Sequence, residues 1–151
     1  MKVQRRHFLR LTAVALGGFA TAALWPLRAL ASAFDAAFKA PDVAGVFKAL
    51  GTTPTPSDQI QLATPDIAEN GAVVPVSITS TLPNTEQIMI LVEKNPNPMA
   101  AVFDIPEGTD GFVGTRVKVG QSCLIYAVVK AGGKFYSASR ETKVTLGGCG
   151  G

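Results

Sequence analysis

Two cysteines are the side chains whose setting in this sequence suggests chemistry, and they are unlike each other. Cys149 sits in Gly147-Gly148-Cys149-Gly150-Gly151, where the sequence ends. The four glycines remove every neighbouring side chain, so nothing local packs the thiol. Ordering such a tail is costly in backbone entropy. Cys149 lies three residues beyond Leu146, a reach of about 10 Å when extended. A thiol presented this way enters a narrow pocket that bulkier flanks would block. That is the chemistry of a carrier arm, with Gly147, Gly148, Gly150 and Gly151 as its flexible frame. Nothing nearby in sequence activates the thiol, since Lys143 is at the preceding strand end and a terminal carboxylate is close. Activation is expected from whatever enzyme the arm visits. Cys123 instead opens a strand whose same-face partners are Ile125, Ala127 and Val129, the setting of a buried core thiol. In an exported protein the two cysteines could also pair, although a stapling disulfide gains nothing from four flanking glycines.

The rest of the composition is mostly exclusion. The single histidine, His7, and the single tryptophan, Trp25, both lie in the first 33 residues. Five of the 14 basic residues (Lys2, Arg5, Arg6, Arg10, Arg28) lie there too, with no acid among them. Without that stretch the net charge of +3 becomes −2 and no histidine remains. A basic nucleic-acid footprint, a histidine-based catalytic triad and an imidazole zinc site are thereby excluded. Gly108, Gly111, Gly114 and Gly132-Gly133 are turn glycines, since no Gly-Lys-Ser/Thr follows to make a phosphate loop. Asp104, Glu107 and Asp110 cluster at a turn without EF-hand spacing. No self-contained catalytic residues and no metal ligands are expected.

Residues 1–33 read as an export signal. A basic start, Met1 to Arg10, precedes an apolar run from Leu11 to Leu24, then Trp25-Pro26 and the small residues Ala29-Leu30-Ala31-Ser32-Ala33. Cleavage after Ala31 or after Ala33 fits equally well. Arg5-Arg6-His7-Phe8-Leu9 resembles a twin-arginine signal. The run is shorter than the roughly 20 apolar residues that a membrane span needs, and Gly17-Gly18 weaken it further. The expectation is a periplasmic protein with no membrane anchor in its mature form, 34–151, as a single carrier domain.

Helical spacing runs from Phe34 to Leu50, with Phe34, Ala37 and Phe38 on one face. Val43, Val46, Phe47 and Leu50 follow Pro41, which suits a first helical turn. Gly51 is a stop signal, and Thr52 to Ser57 a linker. The pattern then changes to short strands: Ile60–Ala63, Val73–Thr79, Gln87–Glu93, Ala100–Ile105, Phe112–Val119, Cys123–Lys130 and Lys134–Val144. Turn residues separate them. Val74, Val76 and Ile78 alternate with Val73, Ser77 and Thr79. Ile88-Met89-Ile90-Leu91-Val92 is apolar on both faces, so it is a central strand or is covered by the N-terminal helix or by another chain. Strands at this spacing predict an all-β, immunoglobulin-like antiparallel sandwich of about seven strands.

The tail, preceded by Lys143-Val144-Thr145-Leu146, resembles the C-terminus of the SoxY family, the carrier subunits of bacterial sulfur oxidation. Ala68-Glu69-Asn70-Gly71-Ala72-Val73-Val74-Pro75-Val76, Val92-Glu93-Lys94-Asn95-Pro96-Asn97-Pro98 and Ala131-Gly132-Gly133-Lys134-Phe135-Tyr136 support the resemblance. It implies covalent substrate attachment at Cys149, as an S-thiosulfonate and related adducts, with no further cofactor. It also implies a heterodimer with a SoxZ-like subunit that lacks its own export signal and would leave the cell with this chain. Transient partners would be a c-type cytochrome that conjugates thiosulfate, a hydrolase that releases sulfate, and a sulfane dehydrogenase. The alternative is a periplasmic immunoglobulin-like binding or scaffold module with a structural Cys123–Cys149 disulfide.

Overall fold

In a computed structural model the described residues are 33–145. The expected signal, apart from Ala33, and the arm 147–151 with Cys149 lie outside them.

A short helix, α1, spans 33–39, and a second, α2, spans Val43–Ala49. Pro41 does not occupy the first turn of α2, as the spacing suggested. It precedes the cap, which is Asp42 in extended conformation, its carboxylate accepting a hydrogen bond from the Gly45 amide at 2.6 Å. An acidic N-cap satisfies an amide that the helix itself leaves unpaired. None of the described helices is long and apolar enough to cross a membrane.

The remaining elements are strands: β1 (Thr55–Pro56), β2 (Ile60–Ala63), β3 (Ile67–Ala68), β4 (Val74–Ser80), β5 (Thr85–Val92), β6 (Met99–Asp104), β7 (Phe112–Val117), β8 (Cys123–Ala131) and β9 (Lys134–Val144). They form two sheets. One has three strands in the order β2-β4-β7, and the other has the order β1-β9-β8-β5-β6 with β3 also on β9. The antiparallel, immunoglobulin-like sandwich expected from the spacing is the fold observed. β8 and β9 form its longest ladder, running from Ala131↔Lys134 to Cys123↔Thr142. The two residues at its turn, Gly132 and Gly133, have φ of +55° and +73°, as a tight hairpin matched to strand twist requires.

The core lies between the sheets. Val74, Val76 and Ile78 of β4 face Ile88, Ile90 and Val92 of β5 and Ile125, Ala127 and Val129 of β8. All nine are at most 2% exposed. β5 is a central strand between β8 and β6, and its other face, Met89 and Leu91, is equally buried. That accounts for its doubly apolar sequence. Among the described residues, Ala37, Ala40 and Val46 of the helical segment and Met89, Leu91, Met99 and Val128 of the large sheet are buried outside the inter-sheet core.

Two strands have no counterpart in the sequence reading. β1 and β3 are two residues each and both run parallel to β9, at Thr55↔Tyr136 and Ile67↔Lys143. They cover two stretches of the open edge of β9, and so blunt an edge that would otherwise template pairing with another chain. Behind β9 a buried hydroxyl pair, Thr64 and Thr142 at 3.0 Å, joins the end of β2 to the last strand. Each satisfies the other in a place where an unpaired hydroxyl would be costly.

Candidate functional site

The carrier thiol expected from the sequence, Cys149, comes after the end of β9 in the chain, so the structure that bears on it is the end of the sandwich where β9 finishes. The carboxyl end of β9 and the start of β8 lie at that end, as do the β3–β4, β5–β6 and β7–β8 connections. Two of the three motifs that carry the family resemblance are there. Asn70-Gly71 is in the β3–β4 turn, and Glu93-Lys94-Asn95-Pro96-Asn97-Pro98 is the β5–β6 loop. The third, Gly132-Gly133, is the hairpin at the opposite end.

These loops are bonded to one another. Asn95 donates through Nδ2 to the Lys118 carbonyl at 2.8 Å and accepts at Oδ1 from the Gly120 amide at 3.1 Å. One amide side chain thus ties the β5–β6 loop to the β7–β8 loop. The Val119 amide donates to the Gly71 carbonyl at 2.7 Å, which ties the β7–β8 loop to the β3–β4 turn. The Glu93 carboxylate accepts from the Leu124 amide at 3.2 Å, and the Glu93 amide donates back to the Leu124 carbonyl at 3.0 Å. Gly71 allows the closest approach. A Cβ on it would lie 2.4 Å from the Val119 carbonyl oxygen and 2.9 Å from Val144 Cγ1, so any side chain there would have to displace backbone.

The last strand is fixed up to its final residues. The Lys143 amide donates to the Asp66 carbonyl at 2.9 Å and the Thr145 amide to the Ala68 carbonyl at 3.2 Å, both toward β3. Between them the Val144 amide points the other way and donates to Ser122 Oγ at 2.9 Å. Three consecutive amides are satisfied alternately on the two sides of the strand. The tail therefore starts from a fixed base, and Cys149 follows four residues after Thr145.

Cys123 is at this end but faces inward. It is a free thiol, 4% exposed, in the inter-sheet core and directly opposite Thr142. Tyr126, two positions further along the outer face from Leu124, is held above the ordinary tyrosine pKa by burial, with Glu93 and Cys123 as acidic neighbours. It stays protonated through the neutral range and offers no anion to the tail.

The described surface has no second cluster with evident chemistry. A recess of about 400 Å³ beside the open edge of β9 is lined by Asp66, Ile67, Arg140, Glu141 and Lys143. Its two cations are matched by two carboxylates, and Arg140 Nη2 is already 2.7 Å from Asp66 Oδ1. Both groups are exposed, so the pair contributes little. A second recess, about 490 Å³ on the outer face of the three-stranded sheet, is lined by small residues such as Ala63, Ser77 and Gly114 with Arg116 at its margin. Asp104, Glu107 and Asp110 are not gathered into a metal-binding group, since no three His, Cys, Asp or Glu side chains converge among the described residues. Asp104 instead accepts from Gln87 Nε2 at 2.7 Å.

Sequence reasoning singled out the tail thiol and its glycines and missed what holds their base. Ser122 carries no sequence signal. Gly71 and Asn95 were visible only as parts of motifs whose purpose the sequence does not disclose.

The family model described as Sulfur oxidation protein SoxY matches residues 46–149, a span that includes both sheets and Cys149. No curated protein sequence matches the chain. Among solved structures, the sulfur carrier protein SoxY from Chlorobium limicola f thiosulfatophilum is 38% identical, with a TM-score of 0.61, covering 68% of this chain and 94% of that one. A superoxide reductase (neelaredoxin) from Ignicoccus hospitalis is 16% identical with a TM-score of 0.50, covering 58% of this chain and 80% of that one. The second is a likeness of fold alone.

Proposed function

The chain belongs to the SoxY family of sulfur oxidation proteins, and from that membership we propose that it is a covalent carrier of sulfur intermediates, loaded on Cys149 and processed by visiting enzymes. The observation that carries this reading is the reach of the family match to residue 149, through the thiol that the flanking glycines already isolate. The hydrogen-bonded base beneath Thr145 adds support, because a carrier needs a rigid body from which its attachment point is presented.

The chemistry is simple on the carrier's side. Thiosulfate and the Cys149 thiol join through a new S–S bond to give the S-thiosulfonate, with loss of the thiol proton and two electrons to a c-type cytochrome partner. A hydrolase then adds water across the terminal S–S bond, releases sulfate and leaves a sulfane sulfur on the cysteine. A sulfane dehydrogenase oxidises what remains. The chain supplies the sulfur atom, the tether and the surface, and none of the catalysis. A SoxZ-like second sandwich completes the carrier, and the twin-arginine-type signal takes both to the periplasm. A partner without a signal would depend on this chain for export.

The tail's glycines give a test. With thiosulfate, the cytochrome and the hydrolase, the chain is expected to support sulfate release. Replacing both Gly148 and Gly150 by Val is expected to leave the melting temperature unchanged, since the tail lies beyond the last strand. β-Branched flanks stiffen the backbone and widen what must enter each pocket, and misplacement of the reacting sulfur should slow release about tenfold or more. Sulfate release by the double variant at the parent rate would show that the glycines do not serve access. No release with the parent chain would remove the carrier reading itself.

A further inference from the structure

We propose that the outer face of the three-stranded sheet is a docking surface for a protein that visits transiently and sets a carboxylate against Arg116. Val76 and Val113 point from this sheet into the core, and the residues that alternate with them are left to solvent. A half-buried sheet ordinarily carries polar and charged side chains on its solvent face. Here Arg116 is the one charged residue in the three strands. Across the middle of the face runs the row Ala63↔Ser77↔Gly114, small residues that floor the recess of about 490 Å³. The Phe112 ring lies over Gly114, its Cζ 3.4 Å from where a Cβ on Gly114 would sit, and Phe112 is 57% exposed. Val73, just before β4, is 51% exposed. An aromatic ring, an arginine and an uncharged floor between them are the composition of an interface core.

Charge decides the occupant. Arg116 and, two residues on, Lys118 are exposed, and neither forms an ion pair among the described residues. A second copy meeting this face with its own would bring two Arg116 side chains together, and the three strands hold no carboxylate to separate them. The complementary surface therefore carries an acid, with an apolar side chain beside it to enter the recess against Phe112. Size decides the lifetime. Strand spacing and rise give three strands of this length a face of about 350 Å², well below the roughly 800 Å² per partner of a stable complex. A contact of that size suits a protein that binds, acts and leaves better than a permanent subunit. Within the carrier reading that visitor is an enzyme acting on the carried sulfur, and this identification rests on that reading. The acidic and transient character of the contact does not.

The experiment uses the full chain with its SoxZ-like subunit, and the sulfate-releasing hydrolase as the probe. Binding is read by surface plasmon resonance with Cys149→Ala in every chain, so that no sulfur needs to be carried. Arg116→Glu is expected to weaken hydrolase binding at least tenfold at low salt, and Phe112→Ser at least threefold, with melting temperatures unchanged. High salt should narrow the gap between Arg116→Glu and the parent face. Lys134→Glu makes the same charge change at the exposed β8–β9 hairpin, off this face, and is expected to bind as the parent does. No hydrolase binding by the parent face, binding unchanged in Arg116→Glu, or binding weakened as much in Lys134→Glu would overturn the proposal. So would loss of pairing with the SoxZ-like subunit in Arg116→Glu, because the face would then belong to a permanent partner. Failure of sulfate release by the chain with Cys149 restored, with the binding pattern as expected, would remove the carrier reading and leave the docking surface standing.

Discussion

Replacing Cys149 by Ala is expected to abolish sulfur attachment completely while leaving the domain's stability within about 0.5 kcal/mol of the parent. The residue lies beyond β9, and the core, the ladders and the loop contacts at the tail end all form without it. Cys123→Ser should do the reverse. Its side chain is 4% exposed among Ile, Val and Ala residues, and placing a hydroxyl there should cost about 1–3 kcal/mol, with attachment retained. Measuring adduct formation and denaturant unfolding on both variants separates the roles of the two thiols. Loss of attachment in a folded Cys123→Ser chain would mean that the core thiol takes part in the chemistry.

The second large effect falls on a glycine far from the cysteine in sequence. Gly71→Ala puts a methyl group 2.4 Å from the Val119 carbonyl oxygen and 2.9 Å from Val144 Cγ1. The first neighbour is backbone, so the β3–β4 turn must move and take the Val119-to-Gly71 hydrogen bond with it. A loss of about 3 kcal/mol is expected, which for a domain of this size is a fall in melting temperature of about 10 °C. Gly120→Ala is the control. Its nearest atom would be Asn95 Oδ1 at 3.6 Å, an ordinary contact, and its melting temperature should stay close to the parent's. Equal behaviour of the two variants in a thermal melt would mean that the loops at the tail end are not packed as described.

Much of this fold was legible in the sequence because it depends on period-two alternation and on turn chemistry. Val74, Val76 and Ile78 face the core as their spacing requires, and the Gly132-Gly133 turn sits where two glycines can adopt positive φ. The continuous apolar run of β5 identified a strand buried on both faces. The spacing could not reveal β1 and β3. Each is too short to show a period, and each exists because β9 offers an open edge at that point. The site divides the same way. Four glycines around one cysteine are the local signal on which the expectation of a carrier thiol rests. Ser122, Gly71 and Asn95 come from three separate loops and act through contacts that only the fold creates. Two of the family motifs converge on the tail end of the sandwich, which gives them a physical role that their sequences alone did not show.

Trypsin cuts after Lys143 and releases Val144–Gly151, a peptide whose one nucleophilic side chain beyond the Thr145 hydroxyl is the Cys149 thiol. Cys123 leaves on a different peptide, Val119–Lys130. After incubation of the chain with thiosulfate and the c-type cytochrome partner, mass spectrometry should find the thiosulfonate adduct on Val144–Gly151, and the Cys149→Ala chain should carry none. An adduct on Val119–Lys130, or no adduct on either peptide while thiosulfate is consumed, would contradict covalent carriage on the tail.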